Sequence, residues 1–185
     1  MTPPPSTPDR GDALVIVTGL PRSGTSLVMS LLAAGGHPLL TDHLRPADPD
    51  NPRGYFEYAP VKSLMRDSTW LQTHRGQAIK IISTLLPFIP PELPLKIIVI
   101  ERHLAEVLAS QAAMLTRAGK PAPASPALLA TAFQKQIATT QSFLAHRPRT
   151  AVLTLQHHDL IQSPAPAIAR LLQFLPSLKN PGAML

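Results

Sequence analysis

The chain has 185 residues, 44% of them hydrophobic and 15% charged, which is enough for one buried α/β core and too short for two comfortable domains. It contains no cysteine, which excludes a disulfide framework and thiolate chemistry, and no apolar run approaches the ~20 residues that cross a bilayer. The formal net charge is +6: residues 1–106 carry ten basic and ten acidic side chains, and the remainder carries seven basic ones and only Asp159. Such a surplus suits an anionic partner, but the basic residues are scattered and aromatic residues for base stacking are few, so no nucleic acid is expected.

Residues 1–12 are rich in Pro and Thr and read as a flexible tail with no apolar core of a signal peptide, ahead of a single domain over 13–185. A cytoplasmic protein is expected. The first strand is expected at Ala13 to Thr18, a continuous apolar run of the kind that lies in a parallel sheet covered on both faces. A helix opens near Gly24 or Thr25, runs through "SLVMSLLAA" and stops at Gly35-Gly36. Residues 37–58 hold four prolines and several Asp and Asn turn formers, and form a long loop of the kind that is usually functional. "PVKSLMRDSTWL" has helical spacing in Val61, Leu64, Met65 and Leu71. Strands follow at 78–83 ("AIKIIS") and 95–101 ("LKIIVIE"), with a helix from His103 to Arg117 closed by Gly119 and Pro121. Ser125-Pro126 caps and opens a helix with Leu129, Phe133, Ile137 and Leu144 on one stripe. A fourth strand fits 150–155, and Ser163-Pro164 opens a last helix. Strands alternating with helices predict a three-layer α/β fold of the P-loop NTPase type, with a central parallel sheet of four or five strands.

"GLPRSGTS", residues 19–26, joins the first strand to the first helix. A strand, a Gly-containing turn and a helix N-terminus together offer free backbone N–H groups and the positive end of the helix dipole to an anion. The spacing is close to that of a nucleotide triphosphate loop, but Thr25 stands where the lysine belongs. The cation is instead Arg22, with hydroxyls at Ser23, Thr25 and Ser26. An arginine at the loop crest can fork onto two oxygens of one phosphate or sulfate without a metal.

This stretch resembles the phosphosulfate-binding loop of the sulfotransferase family, Pro-Lys/Arg-Ser-Gly-Thr-Thr/Ser, and its arginine form is most similar to that of tyrosylprotein sulfotransferases and small bacterial members. The resemblance implies that Arg22, Ser23, Gly24, Thr25 and Ser26 grip the 5′-phosphosulfate of 3′-phosphoadenosine 5′-phosphosulfate (PAPS). It also implies a site for the 3′-phosphate, made of an arginine ending a strand and a serine eight residues later. "IIVIERHLAEVLASQ" supplies Arg102 and Ser110 at that spacing. Alone, Arg102 reads as an ion-pair partner of Glu106 one helical turn on. "HHDLIQSP" after the fourth strand resembles the family's Tyr-Glu-Asp-Leu-x-x-x-Pro segment. The chain departs from the cytosolic members in ending at "SLKNPGAML" where they carry Arg-Lys-Gly-x-x-Gly.

The expected activity is therefore transfer of a sulfuryl group from PAPS to a hydroxyl or amine of a small-molecule, glycan or peptide acceptor, leaving 3′,5′-ADP (PAP). For the proton acceptor, His43 has the best intrinsic pKa, Glu57 lies in "DNPRGYFEY", which resembles the Asn-Pro-Lys/Arg-Gly-Tyr-Phe-Glu segment of small bacterial members, and Asp42 is third. Lys80 can assist. His157-His158 suggests a metal, but no carboxylate-and-His spacing completes a site, so no metal is expected. Rival readings are an ATP-dependent small-molecule or nucleotide kinase, against which the missing loop lysine counts, and a catalytically silent nucleotide-binding module of the same fold.

Overall fold

The computed structural model describes residues 13–49, 51–121 and 125–184, so the expected tail at 1–12 lies outside the described residues. Strand β1, Leu14–Gly19, is buried along its whole length. Its side chains alternate between two cores: Val15 and Val17 enter one and Leu14 and Ile16 the other. A strand of that kind has no polar face and must lie between two layers.

Three further strands complete the sheet: β2, Ala78–Lys80, β3, Leu95–Glu101, and β4, Thr150–Gln156. Among the described residues the sheet has four strands, all parallel, in the order β2-β1-β3-β4. Val15 pairs with Ala78 on one side and with Lys96 on the other, which places β1 at the centre. The expected strand at 78–83 is shorter than its apolar run. Ile81 still donates its N–H to Val17 O at 3.1 Å, but a 3₁₀ segment containing Pro87, Ser83–Phe88, then turns the chain away.

Helix α1, Thr25–Ala34, follows the loop after β1. Helix α2 is Leu104–Arg117 and α3 is Pro126–His146, where Ser125 Oγ accepts from Leu128 N as the expected N-cap. Beyond β4 come a short helix α4, His157–Gln162, which was not anticipated, and α5, Pro164–Phe174. α1 and α5 cover the face carrying Val15, Val17, Ile98 and Leu155. The opposite face is covered by the C-terminal part of α3 and by the segments between β1 and β3, through Val61, Leu64, Leu71, Leu86 and Ile89. The result is a three-layer α/β sandwich. Each fully buried Leu or Ile contributes about 1.5–3 kcal/mol relative to exposure, so the double-sided sheet carries most of the stability.

The helical spacing in "PVKSLMRDSTWL" resolves into two 3₁₀ segments, Ala59–Ser63 and Thr69–His74, instead of one helix. Asp67 explains the break. Its Oδ1 accepts from Thr69 N at 2.9 Å and from Thr69 Oγ1 at 2.6 Å, a local bond that competes with helix continuation.

Candidate functional site

The loop between β1 and α1 stands at the C-terminal end of the central strand, where open parallel sheets bind ligands. Gly19 is required there: a Cβ would lie 2.5 Å from Ser23 Oγ and 2.7 Å from Ile100 O. The loop closes through Ser23 N donating to Leu20 O, with Arg22 at φ +66° and Gly24 at φ +102°. No side chain caps the N-terminus of α1, and its first turn holds no acidic residue. Among the described residues, no side chain therefore caps the donors of that turn.

β3 delivers Arg102 to the same place. Its Nη1 donates to Arg22 O at 3.0 Å and its Nε to Glu106 Oε2 at 2.9 Å, the i,i+4 pair read from the sequence. Arg22 in turn donates from Nε to Ser110 Oγ at 3.1 Å, so the loop, the end of β3 and α2 are joined by two bonds between residues 80 and 88 positions apart. Arg22, Gly24, Thr25, Ser26, Arg102 and Ser110 all line one cleft of about 440 Å³. Ser23 does not. It is 1% exposed and turned into a neighbouring cavity.

The far wall of the cleft comes from the long loop and β2. Tyr55 O accepts from Ser26 Oγ at 3.4 Å and from Lys80 Nζ. Arg45 lies over the Tyr55 ring, 3.3 Å from its centroid, and the Tyr55 hydroxyl donates to Asp48 Oδ2. Glu57 reaches the cleft, with Oε1 3.0 Å from Arg45 Nη1 and 3.7 Å from Lys80 Nζ. Burial pulls the Lys80 pKa below that of a free lysine, against which the Glu57 carboxylate works.

The structure keeps His43 away from this assembly. It is exposed, at φ +55°, and lines a smaller cavity within the loop itself. Asp42 is also committed elsewhere: its carboxylate accepts from Leu44 N at 3.0 Å and Ala59 N at 2.5 Å, and these backbone donors hold its pKa below the ordinary carboxylate value.

Cleft residues that went unassigned to it in the sequence include Arg45, Asn51, Tyr55 and His157. His157 opens α4 directly after β4, and a Cβ on Gly24 would meet its Cδ2 at 2.6 Å. Burial lowers its pKa below 6.5, and the nearby Arg102 adds to this. The signal for it was positional, since it follows a strand at the ligand-binding edge of a parallel sheet. Among the described residues no group of three or more His, Asp and Glu could hold a metal ion, and no helix is long and apolar enough to cross a membrane.

No protein-family model and no curated protein matches the chain. Solved structures do. A sulfotransferase domain from the Synechococcus PCC 7002 olefin synthase aligns over 99% of this chain and 80% of its own, with a TM-score of 0.55 at 16% identity. A sulfotransferase domain from the curacin biosynthetic pathway aligns over 94% and 78%, with a TM-score of 0.56 at 17% identity. Mouse sulfotransferase SULT7A1, complexed with PAP, aligns over 94% of this chain and 61% of its own, at 0.53 and 16%. A sugar kinase from Janibacter sp. aligns with a TM-score of 0.48. The chain has a sulfotransferase-like fold.

Proposed function

We propose that the cleft binds PAPS and that the chain transfers its sulfuryl group to a hydroxyl or amine of an acceptor. The observation that carries this reading is the convergence of Arg22, Arg102 and Ser110 on an uncapped helix N-terminus. Two guanidinium groups and a helix dipole on one wall suit a ligand with two separate anionic groups. Such a donor supplies an SO₃ group in line with a phosphate leaving group.

The chain's residues have distinct tasks in that reading. Arg22, with the N–H groups and hydroxyls of Thr25 and Ser26, neutralises charge building on the leaving phosphate. Ser23 shapes the loop, since its N–H closes onto Leu20 O and its side chain lies outside the cleft. Arg102 and Ser110 take the 3′-phosphate. Of the three residues named for the proton, His43, Glu57 and Asp42, Glu57 is the one that reaches the cleft, and Arg45 and Lys80 hold its carboxylate there. His157 borders the donor end beside Gly24.

The test is thermal stabilisation by 3′,5′-ADP compared with ATP, each with and without Mg²⁺. Stabilisation by 3′,5′-ADP without metal is expected; stabilisation by ATP-Mg²⁺ alone would replace the reading with a kinase. Transfer of radiolabelled sulfate from PAPS, lost in Arg22→Ala, separates an enzyme from a silent binding module.

A further inference from the structure

Among the described residues, the cleft is lined by four cations, Arg22, Arg45, Lys80 and Arg102, and by one carboxylate, Glu57. Arg22 and Arg102 stand at the donor wall. On the far wall Arg45 and Lys80 share Glu57, whose Oε1 lies 3.0 Å from Arg45 Nη1 and 3.7 Å from Lys80 Nζ. That wall therefore holds two cations against a single anion, and a surplus of that sign favours an acceptor with negative charge.

The two cations differ in what is left to them. Lys80 is 12% exposed, and it is spent on Glu57 and on Tyr55 O. Arg45 is 45% exposed. One of its five N–H groups bonds Glu57, its flat face lies on the Tyr55 ring, and its other N–H groups have no partner among the described residues. A guanidinium stacked in this way keeps its edge open to solvent, and two N–H groups side by side on that edge match the two oxygens of a carboxylate.

Arg45 also stands where two spaces meet. It lines the cleft and the smaller cavity of about 320 Å³ within the long loop, which leaves room for the charged end of an acceptor. Arg53 lines the smaller cavity, is exposed and makes no ion pair with a described residue. The carboxylate of Asp42, on the same lining, is taken up by the N–H groups of Leu44 and Ala59.

We infer that Arg45 selects an acceptor carrying a carboxylate close to its hydroxyl, that is, a small hydroxy acid. The inference rests on the donor reading above, with Glu57 as the proton acceptor. Glu57 Oε1 and Arg45 Nη1 are 3.0 Å apart, so a hydroxyl on one and a carboxylate on the other are separated by at most two hydrogen bonds and one guanidinium. That span is on the order of 10 Å. In the transfer the acceptor oxygen bonds to sulfur, the bond from sulfur to the 5′-phosphate oxygen breaks, and the hydroxyl proton passes to Glu57. The acceptor's carboxylate only holds the hydroxyl in place.

The test compares 4-hydroxybenzoate with its methyl ester, which keeps the hydroxyl and removes the charge, as acceptors of radiolabelled sulfate from PAPS. Expected is a kcat/KM for the acid about tenfold or more above that for the ester, near parity in Arg45→Gln, and partial recovery of the preference in Arg45→Lys. Equal values for acid and ester in the parent, or a preference unchanged in Arg45→Gln, would overturn the inference and leave the donor reading standing. The same two compounds are titrated calorimetrically into the full chain with 3′,5′-ADP at saturating concentration. The acid should bind about tenfold or more tighter than the ester, and Arg45→Gln should abolish the difference. That result without any sulfate transfer would keep the carboxylate site and remove the donor reading; no difference between acid and ester would overturn the inference.

Discussion

Replacing Arg102 by Ala separates the bracing of the loop, which the structure shows, from a binding task proposed for the same side chain. The first is structural. Nη1 holds Arg22 O at 3.0 Å, and Arg22 sits at φ +66°, a left-handed conformation that costs a non-glycine residue about 1–2 kcal/mol. Loss of this charge-assisted bond removes about 1.5–3 kcal/mol of support from that conformation. The Glu106 pair adds little, because Glu106 is 43% exposed and solvent screens a pair that spans one helical turn. The second is the proposed contact to a 3′-phosphate, where losing the same class of bond weakens 3′,5′-ADP by roughly 10- to 150-fold beyond any effect of the loop. Adenosine 5′-monophosphate reports the loop effect alone, since it lacks the 3′-phosphate. Titration of both ligands into the parent and Arg102→Ala proteins should therefore show 3′,5′-ADP losing about tenfold or more relative to the monophosphate. Equal losses for the two ligands would refute a 3′-phosphate contact and leave Arg102 as a brace for the loop.

Gly24→Ala places a Cβ 2.6 Å from His157 Cδ2 at φ +102°, and is expected to cost about 1–3 kcal/mol in denaturant unfolding and to weaken 3′,5′-ADP binding. Glu57→Gln should lower PAPS turnover about 10²- to 10⁴-fold, the ordinary range for a lost general base, while His43→Ala leaves it unchanged; steady-state assays of the two variants distinguish the residues. His37 is buried and its pKa is lowered, first by burial and second by Lys96. The unfolded chain therefore binds the proton more readily, so stability falls as pH drops below about 6.5 and is restored above it. Urea midpoints from about pH 7.5 to about pH 5.5 should show this, with a flatter profile in His37→Gln. Arg147→Ala removes donors to Ile89 O, Pro90 O and Leu93 O and should cost about 1–3 kcal/mol in thermal or urea unfolding.

The sheet and its helices were legible because their signals are local. "LKIIVIE" holds an unbroken apolar run over 97–100 in a central strand, and Ser125-Pro126 states a helix start whose bond to Leu128 N lies within one turn. "PVKSLMRDSTWL" misled because its apolar spacing survives in consecutive 3₁₀ turns, while the bond that breaks the helix is made by a single Asp67 side chain. The far wall of the cleft was illegible for the opposite reason. Tyr55 O meets Ser26 and Lys80 across separations of 29 and 25 residues, and no periodicity encodes such a meeting. His157 was read as half of a histidine pair, when its neighbour in space is Gly24.

The hydrogen bonds inside the cleft have a thermodynamic meaning of their own. Arg22 is bonded to Ser110, Arg102 to Glu106 and to the Arg22 carbonyl, and Ser26 and Lys80 to the Tyr55 carbonyl. An anion that takes these donors exchanges one partner for another, and the net gain is the difference between two bonds. Affinity there is consequently smaller than the contacts of a complex would suggest. Ligand capture there also touches the long loop, because Ser26 and Lys80 reach it through one carbonyl oxygen, Tyr55 O.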